Sequence, residues 1–249
     1  MEYQLQIALS RHKIINLLTV YQMKKIVFTV LFLSIITNLF SQTYPCIPKD
    51  ESGKDSTLKI FTDTLKAIIN RKDANALYKI IDAKILNGFG DEDGIVNFKK
   101  NWKPYQKKSD LWPLLAKITQ MGGVFGDTVN YKTPIFIYPY SFECNVPENE
   151  GEVYLLYAVT GSNVNVREEP DTASKIIAMV NYELVRNAYE TAAAQKIPNE
   201  LNGYTYATNA ANTWYGYIKT KFLYSVDDYR LFIEKRKGIW KITVLVAGD

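Results

Sequence analysis

The stretch DYRLFIEKRKGIWKITVLVAG, residues 228–248, carries two apolar runs around a short charged turn. Tyr229 to Glu234 and Ile239 to Val246 flank Lys235-Arg236-Lys237-Gly238, and apolar residues alternate with polar ones on the approach, which is the pattern of a β-hairpin. Where this hairpin packs decides the architecture. If it returns to the first half of the chain, everything between is an insertion. If it extends the sheet of the strands just before it, the chain is a row of consecutive units. The residues leave both arrangements open.

Upstream of the hairpin, from Gly151, the pattern is β throughout. In GSNVNVREEP, residues 161–170, Val164 and Val166 fall on one face of an extended run, while Asn165 and Arg167 fall on the other. Pro170 forbids further ladder donation, Glu169-Pro170-Asp171 starts a turn, and Lys175 to Val180 supplies the next strand. The triplet Asn165-Val166-Arg167, Pro170, Ile176-Ile177 with Val180, Gly216-Tyr217-Ile218 and Phe222-Leu223 together resemble the bacterial SH3-like (SH3b) domain over residues 153–224. The resemblance implies a small β-barrel with a peptide-binding groove. It departs from the family at Asn181, where glycine is usual, and in the long polar and aromatic segment Asn187 to Thr213, which leaves the groove in question.

The first half reads differently. Leu58, Phe61, Leu65, Ile68 and Ile69 have helical spacing behind Asp55 or Ser56 as N-cap, and Asp73 caps a second, short helix through Leu77, Ile80 and Ile81. Gly94 to Lys103 and Ser109 to Met121 give two more helical segments, with Ser109 as a cap and Gly122-Gly123 as a stop. Thr133 to Phe142 is extended, and Pro134 and Pro139 limit it to an edge strand or a packed loop. Pro147 to Gly151 reads as a linker. The expected fold class is α+β: a mainly helical N-terminal domain (42–150), a small all-β SH3-like barrel (151–226) and a C-terminal β-hairpin (227–249). Phe98, Trp102, Gly122-Gly123, Pro139-Tyr140 and the ending Ala247-Gly248-Asp249 also look like parts of exported proteins of Bacteroidetes type, a resemblance that brings no activity with it.

Residues 1–41 read as an over-extended start plus a signal peptide, with Met23 as the true start, Lys24-Lys25 as its basic end and Ile26 to Ile36 as its apolar run. That run is short for a membrane span. Cleavage is expected at Ser41-Gln42, so the mature chain is periplasmic or secreted and has no stable membrane span. The cut removes Arg11, Lys13, Lys24, Lys25 and Glu2, taking the formal charge of +4 for the 249-residue chain down to about +1. A concentrated basic face is then missing, and nucleic acid is set aside as a partner. It also removes His12, the sole histidine, and with it Ser-His-Asp and Cys-His catalysis and histidine-ligated zinc. Export lets Cys46 and Cys144 pair as a disulfide, with two unpaired thiols as the alternative and lipid attachment at Cys46 weaker still.

No metal site and no cofactor are expected. Asp91-Glu92-Asp93 lacks the ligand spacing of an EF-hand loop. The expected function is non-catalytic: the barrel recognises a cell-wall peptide or an envelope protein through aromatic rings whose polar tips orient the ligand. Trp214, Tyr215, Tyr217, Tyr182, Tyr204 and Arg167 are the candidate contacts, with Tyr189 and Tyr206 as further rings. The alternative is a structural or assembly subunit of the envelope. A hydrolase using carboxylates such as Asp91, Glu92, Asp93 or Glu143 ranks below both, because nothing pairs them with a base or nucleophile.

Overall fold

The computed structural model describes residues 43–88, 93–126, 133–146 and 152–248. The leader and its cleavage point, Asp91, Glu92 and the segment 147–151 lie outside the described residues. The first helix, α1 (Ser56–Arg71), starts where the Asp55 carboxylate accepts the backbone N–H groups of Thr57 at 2.7 Å and Leu58 at 3.1 Å. It ends at Lys72, whose φ of 54° turns the chain out of the helix. Asp73 then caps α2 (Ala74–Ile80) through Ala76 N–H. The chain goes straight from α2 into a strand, β1 (Ile81–Leu86). Helices α3 (Ile95–Trp102) and α4 (Leu111–Gln120) follow. Asp110 occupies the cap position of α4 without a side-chain bond, and Ser109 Oγ accepts Leu111 N–H only at 3.4 Å.

After α4 come β2 (Val124–Phe125) and β3 (Ile135–Tyr138), then a 3-10 turn over Tyr140–Glu143. Gly122 is required at the α4 exit: its φ is +87°, and a Cβ there would lie 2.5 Å from the Lys49 carbonyl oxygen. The hairpin of the opening stretch is β12 (Arg230–Arg236) and β13 (Ile239–Val246), closed by Lys237 and Gly238 at φ 51° and 81°. It packs with the first half of the chain. The five-stranded sheet has the order β1-β13-β12-β3-β2, with β1 parallel to β13 and the other pairs antiparallel. Leu58, Leu65, Leu77, Leu115 and Ile118 from the helices meet Phe136, Tyr138, Leu231, Ile233 and Ile242 from the sheet in one core. Each such side chain contributes on the order of 1.5–3 kcal/mol by leaving water.

The chain between β3 and the hairpin builds a second sheet. Its strands are β4 (Leu156–Val159), β5 (Val164–Arg167), β6 (Ile176–Val180), β7 (Leu184–Asn187), β8 (Glu200–Leu201), β9 (Tyr204–Thr208), β10 (Tyr215–Lys219) and β11 (Leu223–Ser225), with a helix, α5 (Tyr189–Gln195), after β7. The order is β11-β4-β7-β9-β10-β5-β6, and β8 pairs with β9. Val159, Val164, Val166, Val180, Val185, Ala207, Ile218 and Leu223 form one core, so seven of the strands curl round a common interior. Gly216 lets β10 approach β5, since a Cβ there would lie 2.7 Å from the Arg167 carbonyl oxygen and 2.8 Å from Val166.

These observations correct the expected fold class. Among the described residues the chain is mostly β, with two sheets and five short α-helices, and there is no mainly helical N-terminal domain. The helices of the first half cover a sheet whose central strands come from the C-terminal hairpin. The edge-strand reading of Thr133 to Phe142 is also corrected: β3 lies between β2 and β12 with all four residues buried, because Pro134 and Pro139 flank the strand instead of interrupting it. The long polar and aromatic segment Asn187 to Thr213 contains β9, an interior strand.

Residues 43–249 cluster as one compact unit, and a third core joins the sheets. It contains Cys46, Val124, Tyr140, Leu156, Ala158, Leu184 and Val226. Cys46 and Cys144 are disulfide-bonded, as the exported reading expects. The segment before the bond lies along the β6–β7 turn, where Cys46 N–H donates to Tyr182 O at 2.7 Å and Leu184 N–H to Tyr44 O at 2.8 Å.

Candidate functional site

Strand alternation builds the first candidate. Because Val164 and Val166 point into the core of the eight-stranded sheet, Asn165 and Arg167 are turned to its outer face. The register pairs Tyr217 with Arg167 and Lys219 with Tyr204, and Ile218 is buried in the core, so Tyr217 and Lys219 share that outer face. The result is a cavity of about 270 Å³ lined by Asn165, Arg167, Tyr204, Lys219, Lys221 and Phe222 among others, with no carboxylate among the described lining residues.

Its three cations are held by neutral partners. The Arg167 guanidinium donates to the Ser174 carbonyl at 2.6 Å, which fixes it across the turn containing Pro170. Lys219 Nζ stands 5.7 Å from the centre of the Tyr204 ring, and Lys221 Nζ 4.8 Å from that of Phe222. None of the three makes an ion pair among the described residues. The Tyr204 hydroxyl is buried without a hydrogen-bond partner. Such a surface attracts negative charge, because each ammonium or guanidinium group keeps donors that no protein carboxylate has taken.

The other candidate residues are distributed around the same sheet. Tyr217 is buried, donates its hydroxyl to the Pro198 carbonyl at 2.6 Å, and lies 4.9 Å from the Tyr206 ring. Burial, with Tyr206 adding to it, pushes the Tyr217 phenol up. Tyr206 is raised in the same way, by burial first and Tyr215 second. These rings seat α5 and the segment after it through Ala188, Ala192 and Ile197. Trp214 is half-buried against the sheet core. Tyr215 stacks on Tyr206 and lines a separate cavity of about 360 Å³ together with Tyr189, Glu152, Glu190 and Arg186. Tyr182 is in the β6–β7 turn at φ 43°, where its N–H donates to the Gly161 carbonyl at 3.1 Å and it lines a different cleft. The structure therefore brings Arg167 and Tyr204 together, and it separates Trp214, Tyr215 and Tyr182 from them.

Lys219 and Lys221 had no motif to mark them. The alternation Tyr215, Tyr217, Lys219 in WYGYIK places Lys219 on the ring-bearing face, but the pairing of β10 with β5, which brings it to Arg167, is a long-range fact. Of the proposed acids, Asp93 accepts the Asn87 N–H at 3.0 Å in a loop. Among the described residues no group of three or more His, Cys, Asp or Glu side chains is placed to hold a metal ion. No helix among them is long and apolar enough to cross a membrane. Comparison with protein-family models, with curated proteins and with solved structures gives no match to the chain.

Proposed function

We propose that the chain is an exported, non-catalytic binding protein that recognises a carboxylate-bearing cell-wall peptide on the outer face of its eight-stranded sheet, which we read as an SH3-like barrel. The observation that carries this reading is the cavity in which Arg167, Lys219 and Lys221 stand beside Tyr204 with no carboxylate among them. Peptide recognition on such a face combines ring contact with charge-assisted hydrogen bonds. The placement of the motif residues supports the SH3-like reading: Asn165-Val166-Arg167 fills β5, Pro170 stands in the turn after it, Ile176 to Val180 forms β6, and Gly216-Tyr217-Ile218 lies in β10. The leader pattern and the Cys46–Cys144 bond support export, since such bonds persist in oxidising compartments.

The test is retention of the protein, without its leader, on purified peptidoglycan, beside cross-linking capture from an envelope extract. Retention on peptidoglycan that falls as salt rises supports the reading, because a solvent-open cationic groove is screened. Capture of an envelope protein with no peptidoglycan retention would replace it with an assembly role.

A further inference from the structure

A second cleft lies where the two sheets meet. It has a volume of about 380 Å³ and lies between α4, which contributes Lys117 and Gln120, and the near end of the eight-stranded sheet, which contributes Tyr182, Lys221 and Tyr224. Pro48, just after Cys46, and Tyr140, just before Cys144, complete the wall. We propose that this cleft is a binding site for a small organic carboxylate or a peptide carboxy terminus.

Three observations lead there. First, Lys117 and Lys221 bring two ammonium groups to the cleft, and no Asp or Glu is among the described residues that line it. Lys117 Nζ stands 4.6 Å from the centre of the Tyr224 ring and makes no ion pair among the described residues. Second, Tyr140 is 1% exposed, yet its hydroxyl has no hydrogen-bond partner. An unpaired buried hydroxyl is costly, so a chain gains by removing it unless something accepts its hydrogen bond. Burial, with Tyr182 adding to it, pushes the Tyr140 phenol up to about 12, so at neutral pH it is a donor. Third, the cleft is only partly polar. Pro48, Met121 and Leu223 line it beside the rings, and they suit the carbon skeleton of an organic acid better than an inorganic ion. A carboxylate is acceptor-only when ionised, which matches a wall that offers ammonium, phenol and amide donors.

Lys221 borders both this cleft and the outer-face cavity, whereas Lys117 and Tyr140 line only the cleft and Lys219 only the outer face, so the experiment separates the two readings through those residues. The Met121 methyl group, which lines the cleft, serves as an NMR reporter during titration with acetate, benzoate, inorganic phosphate, and N-acetyl-Ala-Ala with a free or an amidated carboxy terminus. The expected result is saturable shifts for benzoate and the free dipeptide, with at least tenfold weaker binding of the amide and of phosphate. Tyr140→Phe should weaken the dipeptide at least fivefold without lowering the melting midpoint, and Lys117→Gln should weaken it similarly. Lys219→Glu, on the outer face, should leave the cleft titration unchanged. No shift at Met121 with any probe, equal binding of free and amidated dipeptide, phosphate binding as tightly as the acids, or unchanged affinity in Tyr140→Phe would each overturn the proposal.

Discussion

Asp55 shows how much a single carboxylate does at the start of the fold. It caps α1, its other oxygen lies 3.3 Å from Lys235 Nζ in the hairpin, and Lys235 stands 5.2 Å from the Trp240 ring centre. The hydrogen bond from the Thr57 side chain, followed by that from the Leu58 backbone, holds the Asp55 carboxyl down at about 2. Its pKa in the fold is below its ordinary value of 3.8, so its stabilisation is complete above that value and is lost as pH falls from about 4 towards 2. Asp55→Asn should lower the melting midpoint at neutral pH and flatten its decline between pH 4 and pH 2. Thermal melts of both proteins across that range check this, and parallel curves would show that the capping charge is not what titrates.

At the scale of elements, the disulfide connects pieces that sequence order separates. It joins the strand-like segment at Tyr44 to Cys46, which lies along the eight-stranded sheet, to the turn after β3 in the five-stranded sheet. The two cysteines are 98 positions apart, so the bond removes a large amount of disorder from the unfolded chain, up to about 4–5 kcal/mol in the chain-entropy picture. Replacing both with serine should cost a substantial part of that amount in denaturant titrations, with the midpoint lowered and the slope nearly kept. A loss below about 1 kcal/mol would mean that the third core holds the layers without it.

What was legible in the residues followed from locality. The hairpin, both aspartate caps and the alternation of GSNVNVREEP are short-range patterns, and the structure places them as read. The strand β1 was hidden because Ile81 and Ile85, its only buried residues, are four apart, a helical spacing continuous with α2. β9 was hidden because YTYAT is polar by composition, and its burial comes from α5 folding over Tyr204 and Tyr206. Trp214 and Tyr215 stood out as adjacent rings, yet alternation sends one to the sheet core and the other to the outer face. The cationic groove depends on β10 pairing with β5, and nothing in either strand announces its partner.

On the scale of the whole molecule, one layer supports and the other presents. The five-stranded sheet takes the adjacent strands β12 and β13 from the end of the chain, and the eight-stranded sheet joins it at one edge, where β4 and β11 are neighbours and β11 runs into β12. Tyr224 of β11 packs into the core of the helix-covered sheet and donates its hydroxyl to the Tyr229 carbonyl at 2.6 Å, which fixes that junction. That junction gives the outer face with Arg167 and Tyr204 the rigid support that the proposed recognition role requires. The most direct measurement is retention on purified peptidoglycan of the protein without its leader against its Lys219→Glu variant, whose lysine lines the outer-face cavity and not the cleft beside α4, with melting midpoints recorded for both. The account predicts that charge reversal cuts retention at least tenfold at low salt while the midpoint stays within a few degrees. Equal retention by two equally stable proteins would contradict it.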